Sequence, residues 1–360
     1  MPATRILPGR DFANFDLDPT PGPQRYHGMS CASIIAASHT TDSLSGLSTT
    51  SGVISLASQV NVIPVKIIRD FGGLGSTSAL AQAITWAWQN DADVLSNSWV
   101  LDYPCPGFDN ITDAINGAAQ FGRDGRGCPV IFASGNLDIG GNVAFPACHP
   151  LAMAVGAIQL DDVRWYYSNY DSTLDIVAPS GDANLLGDVW TMDQMGTLGI
   201  NPTSVSSCPS GSNDVDYYCK FGGTSAACPV VAGVAALLIS KDTNLTRQQV
   251  YTILDSSAVT ALDWGTITPP NNQYGWGRVD AFRAILSISR GDANNDGVNG
   301  NVVDLNFIVQ DIFQGGSEPF PSPKMGDCNC DGIYNIIDLN YMVNRIFRGG
   351  PSPVNPCYKF

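Results

Sequence analysis

Short apolar segments with the composition of β-strands alternate with helical segments through the first 290 residues. The strand-like runs occupy residues 62–68, 94–98, 130–133 and 152–158, and the helical ones 76–89, 110–121, 225–240 and 246–256. Successive parallel strands need a helical crossover, so this alternation predicts a mostly parallel sheet. We therefore expect an α/β fold whose central sheet is flanked by helices. Active sites in such folds lie at the carboxyl ends of the strands.

The net charge and the lengths of the apolar runs limit the kinds of partner that the chain can bind. The 360 residues carry 33 acidic and 18 basic side chains, a formal net charge of −15. This charge argues against a nucleic-acid partner, whose phosphates would repel the chain. The longest apolar run, residues 230–239, is too short to span a membrane. Residues 1–10 lack the basic stretch and apolar run of a signal peptide.

From Gly291 onward the sequence repeats itself. Gly-Asp-Ala-Asn-Asn-Asp-Gly at 291–297 returns as Gly-Asp-Cys-Asn-Cys-Asp-Gly at 326–332, and the Asp-Leu-Asn at 304–306 returns at 338–340. A loop-plus-helix unit that occurs twice indicates a module of its own. The sequence therefore predicts a large domain at residues 1–290 and a small duplicated module at 291–360.

Each repeat places oxygen-bearing side chains at alternate positions around a glycine. In the second repeat the candidate ligands are Asp327, Asn329, Asp331, Asn335 and Asp338. In the first they are Asp292, Asn294, Asp296 and Asp304, the last displaced by one inserted residue. Oxygen ligands alternating around a sharp turn can encircle Ca²⁺. Asx turns without a metal are the alternative, which the duplication disfavours.

The repeated loop and helix resemble a type I dockerin module over about residues 291–350. The resemblance implies a small all-α module that folds on binding Ca²⁺ and docks onto a cohesin-like receptor. Val302-Val303 and Ile336-Ile337 replace the Ser/Thr pair that many dockerins carry before the closing Asp. The type of receptor, cohesin or another, therefore stays open.

Three segments of the large domain carry side chains suited to catalysis. His27 stands before an apolar helix, Asn136 follows the strand-like run 130–133, and Ser225 follows a Gly-Gly-Thr turn. A serine hydroxyl needs an adjacent base to become a nucleophile, and the oxyanion that it creates needs fixed donors. Taken singly, these residues also suit a core histidine, a turn asparagine and a helix cap.

In the order His, Asn, Ser, these segments resemble the subtilisin-like serine peptidases over about residues 3–286, with Met29 replacing the usual Thr. The resemblance implies a secreted serine endopeptidase with Ser225 as nucleophile, His27 as general base and Asn136 as oxyanion donor. It also implies two edges that hold an extended peptide by strand addition, formed by Ser98, Trp99 and Val100 and by Ala133, Ser134 and Gly135.

Other positions qualify this resemblance. Val100 stands where the family usually has Gly, which would narrow the substrate groove, and residues 144–146 resemble a wall of the primary specificity pocket. Cys31 and Cys228 lie one helical turn beyond His27 and Ser225, so we expect buried thiols there rather than a nucleophile.

The third triad member is missing from the family pattern. In the family an Asp precedes the His by roughly 30–40 residues and fixes the imidazole tautomer. Only 26 residues precede His27, and Asp11, Asp16 and Asp18 lie in a Pro-rich stretch as surface residues or Ca²⁺ contacts. We expect a chain truncated at its N-terminus and of low activity. The alternative is an inactive peptidase-fold scaffold whose working part is the docking module.

Ten cysteines, an even number, indicate disulfides formed in an oxidising compartment rather than a zinc site. Cys208 and Cys219 bracket a polar loop and form a candidate pair, while the remaining connectivity stays open. We therefore expect an extracellular protein.

Overall fold

Ten short strands occur in the part of the chain that the structure describes. The computed structural model describes residues 3–23, 25–38, 55–101, 103–137, 142–182, 189–200, 216–263, 265–289, 302–314, 327–328 and 335–348. The strands are β1 (Arg10–Asp11), β2 (Val65–Lys66), β3 (Leu95–Asn97), β4 (Val130–Ala133), β5 (Met153–Ile158), β6 (Ile176–Pro179), β7 (Val189–Met192), β8 (Tyr217–Phe221), β9 (Ala261–Leu262) and β10 (Gly265–Thr266). Strands β3, β4, β5 and β6 form one parallel sheet in that spatial order, which confirms the predicted parallel sheet.

Helices cover this sheet. They are α1 (His27–Ala36), α2 (Thr77–Gln89), α3 (Asp109–Phe121), α4 (Thr224–Lys241), α5 (Arg247–Ser257), α6 (Ala281–Ser289), α7 (Val302–Gln314) and α8 (Ile336–Arg348). Short 3₁₀ turns occupy Ala3–Arg5 and Gly196–Leu198. The predicted α/β fold is thus confirmed, with helix boundaries within one residue of those expected for α2, α3, α4 and α5.

The side chains of β4 alternate between two cores. Ile131 and Ala133 pack with α4, α5 and α6, whereas Val130 and Phe132 pack with α2 and α3. All four side chains are buried, which explains why β4 is an unbroken apolar run rather than an alternating one. Successive residues of a strand point to opposite faces, so a strand covered by helices on both sides needs apolar residues throughout.

Local sequence signals fix the ends of the helices. The Ser76 side chain accepts a hydrogen bond from the Ala79 amide and caps α2. Thr246 and Gln249 form a reciprocal capping box at the start of α5. Each interaction satisfies backbone donors that a helix leaves unpaired in its first turn. The ranges predicted for α2 and α5 include the capping residue, so these two helices begin one residue later than predicted.

Strands β1 and β2 form a separate parallel pair, and this pair corrects one expectation. Asp11, expected at the surface or as a Ca²⁺ contact, is 1% exposed and lies 2.9 Å from Lys66 Nζ. Burial would raise the pKa of Asp11, but hydrogen bonds from Asn14, Lys66 and Ala13 lower it below its ordinary value. The sequence did not reveal the pairing because Lys66 is 55 residues away. Asp16 and Asp18 are exposed, as expected.

Helices α7 and α8 pack on each other at the C-terminal end of the chain. Ile308, Cys328 and Met342 form their buried core, separate from the cores of the sheet. The boundary predicted at residues 290/291 falls outside the described residues, as do the loop residues 291–301 and 329–334.

Helix α4 is long and apolar enough, by length and composition, to cross a membrane. In the described structure 67% of it is buried, and it packs against β4, β5 and β6. A core helix meets the same criteria, so α4 is weak evidence for a membrane span.

Asp175 and Asp255 carry half-buried carboxyl groups that interact electrostatically. Asp175, just before β6, accepts a hydrogen bond from the Ala154 amide at 2.7 Å. Asp255 on α5 has a buried Oδ1 with no hydrogen-bond partner among the described residues. Burial raises the pKa of Asp175 to about 7, and burial together with the Asp175 charge raises the pKa of Asp255 to about 8. Both groups are therefore mainly neutral below about pH 7.

Asp255→Asn is expected to stabilise the protein increasingly as the pH rises above about 4, with the full effect reached above about pH 8. A carboxyl whose pKa is raised by folding contributes its full stability below the unfolded-state value near 4, and this stability is lost as the pH rises through about 8. The variant should gain a few kcal/mol of unfolding free energy at pH 9, since one pKa unit corresponds to about 1.4 kcal/mol, and little at pH 4. Urea unfolding at both values measures this. Asp113→Asn, at an exposed site on α3, is the control, and a pH-independent effect of Asp255→Asn would contradict the expectation.

Candidate active site

Ser225 lies in the first turn of α4, immediately after a tight glycine turn. Gly223 has a φ of 73°, a conformation that favours glycine. Its amide donates to the Gly181 carbonyl at 3.0 Å, and its own carbonyl accepts from Ser180 Oγ at 2.6 Å. The loop after β6 therefore holds the turn that presents Ser225 at the carboxyl end of the sheet.

Ser98, just beyond β3, contacts Ser225 through two hydrogen bonds. Ser98 Oγ donates to the Ser225 carbonyl at 2.9 Å, and Ser225 Oγ donates to the Ser98 carbonyl at 3.4 Å. The segment expected to hold substrate thus lies directly against the candidate nucleophile. The 3.4 Å bond is long, so the hydroxyl is only weakly held in this position.

His27 opens α1, and its ring packs edge-on against Phe221 at 5.6 Å between ring centroids. Burial lowers the pKa of His27 below its ordinary value, so the imidazole is neutral at pH 7 and able to accept a proton. Cys31 Sγ lies 3.9 Å from His27 Nδ1 and 3.6 Å from the Ser225 carbonyl oxygen. One sulfur atom therefore contacts both His27 and Ser225.

Asn136 follows β4 and contacts the residue before Ser225. Its Oδ1 accepts hydrogen bonds from the Thr224 amide at 2.8 Å and from Thr224 Oγ1 at 2.7 Å. Two donors on this oxygen fix the amide orientation and leave Nδ2 for another acceptor. Nδ2 lies 2.9 Å from the point where a Cβ on Gly223 would stand, so a side chain at position 223 would displace the amide.

The imidazole, the hydroxyl and the carboxamide therefore meet in one cluster at the carboxyl ends of the sheet. Ser225 supplies a hydroxyl and a helix N-terminal amide, His27 a neutral base, and Asn136 an N–H donor. Within the described ranges, no hydrogen bond or ion pair joins a carboxylate to the His27 ring. Attack by a hydroxyl on a carbonyl, with the oxyanion held by N–H groups, is the chemistry that this arrangement can perform.

The two expected substrate edges differ in their free backbone groups. Within the described part of the chain, the backbone N–H and C=O groups of Trp99 and Val100 have no hydrogen-bond partner. Ala133, by contrast, is a buried residue of β4, and Ser134 is 0% exposed, with its amide and carbonyl bonded to Val155 and Ala144. Strand addition thus fits Ser98–Val100.

The backbone groups of Gly135, in the second expected substrate edge, are also hydrogen-bonded within the protein. Its amide donates to Thr224 Oγ1 at 3.2 Å, and its carbonyl accepts from the Asn169 amide at 3.0 Å. The backbone groups of residues 133–135 are hydrogen-bonded to β5, to α4 and to neighbouring loops, which the sequence could not show. It can form a wall of the site rather than a strand that pairs with substrate.

A disulfide and an aromatic anchor join the walls beside this site. Cys105 and Cys148 are bonded, and the Leu101 amide donates to the Phe145 carbonyl at 2.7 Å. Phe145 is fully buried. The segment after β3 is therefore tied to the wall expected at residues 144–146. Cys219 is also disulfide-bonded, and Cys208, its expected partner, lies outside the described residues.

The two cysteines beside Ser225 and His27 are held in the unreactive thiol form. Burial raises the pKa of Cys31 and of Cys228 to about 12. Both therefore remain neutral thiols at pH 7, whereas the thiolate is the reactive form.

The described part of the C-terminal repeats contains four of the nine predicted calcium ligands. Asp304, Asp327 and Asp338 are at most 2% exposed, and Asn335 donates its amide to Asp338 Oδ2 at 2.8 Å. Buried carboxylates need hydrogen bonds or a cation, so these residues fit a hard cation such as Ca²⁺. The other five, Asp292, Asn294, Asp296, Asn329 and Asp331, lie outside the described residues.

Sequence patterns missed two residues of the site. The sequence pattern marks Thr224 only as part of a helix cap, yet its hydroxyl and amide orient Asn136. Asn169 stands 33 residues after Asn136 and contacts the residues on both sides of it. A polar residue in a Ser-Asn-Tyr loop carries no periodic signal, so only the folded contacts identify it.

Comparison with known proteins relates the whole arrangement to one family. A family model described as "Subtilase family" matches residues 12–277. A calcium-dependent protease of Nostoc sp. is 30% identical over 307 residues, covering 78% of this chain and 43% of that protein. Subtilisin Savinase of Lederbergia lenta is 32% identical over 246 residues, covering 68% of this chain and 76% of that protein. A solved protease structure from Pseudoalteromonas arctica is 27% identical with a TM-score of 0.57, covering 78% and 84% of the two chains. The chain thus spans less than half the length of the Nostoc relative.

Proposed function

Because the chain belongs to the subtilase family of serine peptidases, we propose that it is an endopeptidase that hydrolyses peptide bonds through an acyl-enzyme on Ser225. The observation that carries this proposal is the meeting of Ser225, His27 and Asn136 at the carboxyl ends of the parallel strands. An extended peptide would pair with the open backbone groups of residues 99–100, which places its scissile carbonyl beside Ser225.

Each group has one role in this reaction. Ser225 Oγ attacks the carbonyl carbon while its proton passes to His27, and the carbonyl oxygen becomes an oxyanion. Asn136 Nδ2 and the Ser225 amide donate to that oxyanion. When the tetrahedral species collapses, the C–N bond breaks and the leaving amine takes the proton from His27. A water molecule then repeats the attack on the acyl-enzyme, and Ser225 regains its proton.

The neutral state of His27 supports its role as the base. Burial lowers its pKa, so it accepts the Ser225 proton without first losing one. Its Nδ1 faces Cys31 Sγ at 3.9 Å, too far for a strong hydrogen bond. The tautomer is thus weakly fixed, which predicts slow turnover.

This weak orientation of His27 favours a second candidate function, an inactive scaffold with the peptidase fold. Ser225 Oγ also bonds to the Ser98 carbonyl rather than to the imidazole. Catalytic hydrogen bonds often tighten only when substrate binds, which keeps the peptidase proposal first.

The experiment is cleavage of a denatured polypeptide by the purified chain, followed by sequencing of the new N-termini. The peptidase proposal expects internal cleavage that a sulfonyl fluoride blocks. Absence of new N-termini after prolonged incubation at high enzyme concentration would favour the scaffold.

We further infer that Ca²⁺ binds the C-terminal repeats, through Asp327, Asn335 and Asp338 in the second and Asp304 in the first, with the ligands outside the described residues completing each shell. The burial of the three carboxylates supports this inference, as does the name of the calcium-dependent relative, which is 30% identical. The ion would supply a fixed positive centre that joins each loop to the first turn of its helix.

Residues 291–350 are proposed as a dockerin-like tether to a cohesin-like receptor of a secreted assembly. Val303, Ile336 and Ile337, in the first turns of α7 and α8, are 55–56% exposed, which offers apolar contact area. Retention of the chain on an immobilised cohesin domain in Ca²⁺ but not in chelator is the expected result, and equal retention in both would contradict it.

A further inference from the structure

We propose that Asn169 is a positioning residue that holds the Asn136 loop in the geometry of an oxyanion donor. This inference rests on the proposed peptidase function. Asn169 is 2% exposed and lies in the loop between β5 and β6. It does not touch the Ser225 hydroxyl or the His27 ring, so it acts through Asn136.

Asn169 contacts the chain on both sides of Asn136. Its backbone amide donates to the Gly135 carbonyl at 3.0 Å, and its Oδ1 accepts from the Leu137 amide at 2.8 Å. Its own carbonyl accepts from Ser134 Oγ at 3.1 Å. Three hydrogen bonds from one buried residue thus fix the backbone immediately before and after the oxyanion donor.

Gly135 is shaped to this partner. Its φ is 110°, and a Cβ there would stand 2.4 Å from Asn169 Nδ2, a separation that no side chain tolerates. The two residues therefore pack without space between them. Because of this close contact, a shift of Asn169 would shift Gly135 and, with it, the neighbouring Asn136.

Asn169 and Thr224 fix the Asn136 side chain in two different ways. Thr224 engages Asn136 Oδ1 and sets the rotation of the amide, whereas Asn169 sets the backbone from which that side chain projects. Loss of the Asn169 side chain frees the Leu137 amide and lets the loop shift. A displacement of about 1 Å at a reacting group can cost about 100-fold in rate.

The test measures the rate of Ser225 modification by a fluorophosphonate, whose phosphoryl oxygen occupies the oxyanion position. Asn169→Leu removes the acceptor and should lower the maximal modification rate by about 10- to 100-fold, with apparent reagent affinity within about twofold. Asn169→Asp keeps an oxygen acceptor for the Leu137 amide and should retain most of the rate. Thr246→Ala, which removes the α5 cap, is the control for lost stability and should leave the rate unchanged.

A double-mutant cycle separates positioning from general destabilisation. In an Asn136→Ala background the donor is already absent, so Asn169→Leu should lower the rate by less than about twofold. An equal loss in both backgrounds, or a loss in reagent affinity alone, would overturn the proposal.

Hydrogen exchange keeps this inference distinct from the proposed function. The Leu137 amide should be protected in the parent chain and in Asn169→Asp, and should exchange about tenfold faster or more in Asn169→Leu. If the parent chain is not modified at Ser225, the peptidase proposal fails. The exchange data then still test whether Asn169 holds the Asn136 loop. Unchanged exchange of the Leu137 amide in all three proteins would show that Asn169 does not hold this loop.

Discussion

Replacing Ser225 with alanine is expected to abolish labelling of the chain by a fluorophosphonate. In the parent chain the Ser225 Oγ attacks phosphorus, fluoride leaves, and the hydroxyl proton passes to His27. Serines are unreactive unless a base lies beside them, and at Ser225 the neutral His27 imidazole and the Asn136 amide lie in the same cluster. Mass spectrometry of the labelled peptide locates the adduct.

The labelling rate itself should be low. A carboxylate on Nδ1 of the catalytic histidine is worth on the order of 10⁴ in kcat in serine peptidases, and no carboxylate contacts the His27 ring within the described part of the chain. His27→Ala should slow labelling further, by about 10²-fold, because the proton acceptor is then lost and the effects of triad residues are not additive.

The matched control lies on the same helix. Ser240 is exposed near the end of α4, where its hydroxyl donates to the Leu237 carbonyl. Ser240→Ala should be labelled as the parent is. Labelling that persists in Ser225→Ala would remove Ser225 from the mechanism, and an unlabelled parent chain would support the inactive scaffold.

The central sheet could be predicted because its strands and helices carry local signals. The run at 130–133 is apolar at every position, as a strand covered on both faces requires, and it matches β4 residue for residue. Ser76 and Thr246 marked the starts of α2 and α5. These signals depend on neighbours within four residues, so the sequence alone is enough to read them.

Strands β7 and β8 were not predicted because their stability comes from pairing with each other. They pair antiparallel although 24 residues separate their facing ends, and both strands mix buried with half-buried side chains. Neither run shows a clear alternation of apolar and polar residues. Their existence depends on distant contacts, which propensity does not encode.

The candidate site likewise contains residues that the sequence predicts and residues that only the fold reveals. His27, Asn136 and Ser225 stand in family motifs and could be named from the sequence. Their supporting contacts could not, since the Asn169–Leu137 hydrogen bond joins residues 32 positions apart in the chain. The salt bridge between Asp11 and Lys66 likewise depends on strand pairing. Sequence motifs identify reacting groups, whereas the residues that hold them follow from the fold.

Removing calcium is expected to unfold the C-terminal repeats while leaving the sheet domain folded. The small module has a core of only three buried apolar residues in its described part, Ile308, Cys328 and Met342. So small a core supplies little stability, and metal binding then provides the folding free energy. Chelation should abolish the exchange protection of 302–314 and 336–348, and calorimetry should show about two Ca²⁺ bound per chain.

Asp338→Ala tests the ligand assignment within one repeat. Asp338 is 0% exposed in the first turn of α8, where its Oδ2 accepts from the Asn335 amide. Loss of this carboxylate removes one charge from the second site, so the variant should bind one Ca²⁺ tightly rather than two. Asn340→Ala, on the exposed side of the same helix, should still bind both and serves as the control. Two tight sites in Asp338→Ala would contradict the assignment of Asp338 as a calcium ligand. Exchange protection of 336–348 that survives chelation would contradict a calcium-dependent module, because the buried carboxylate would then be held without the ion.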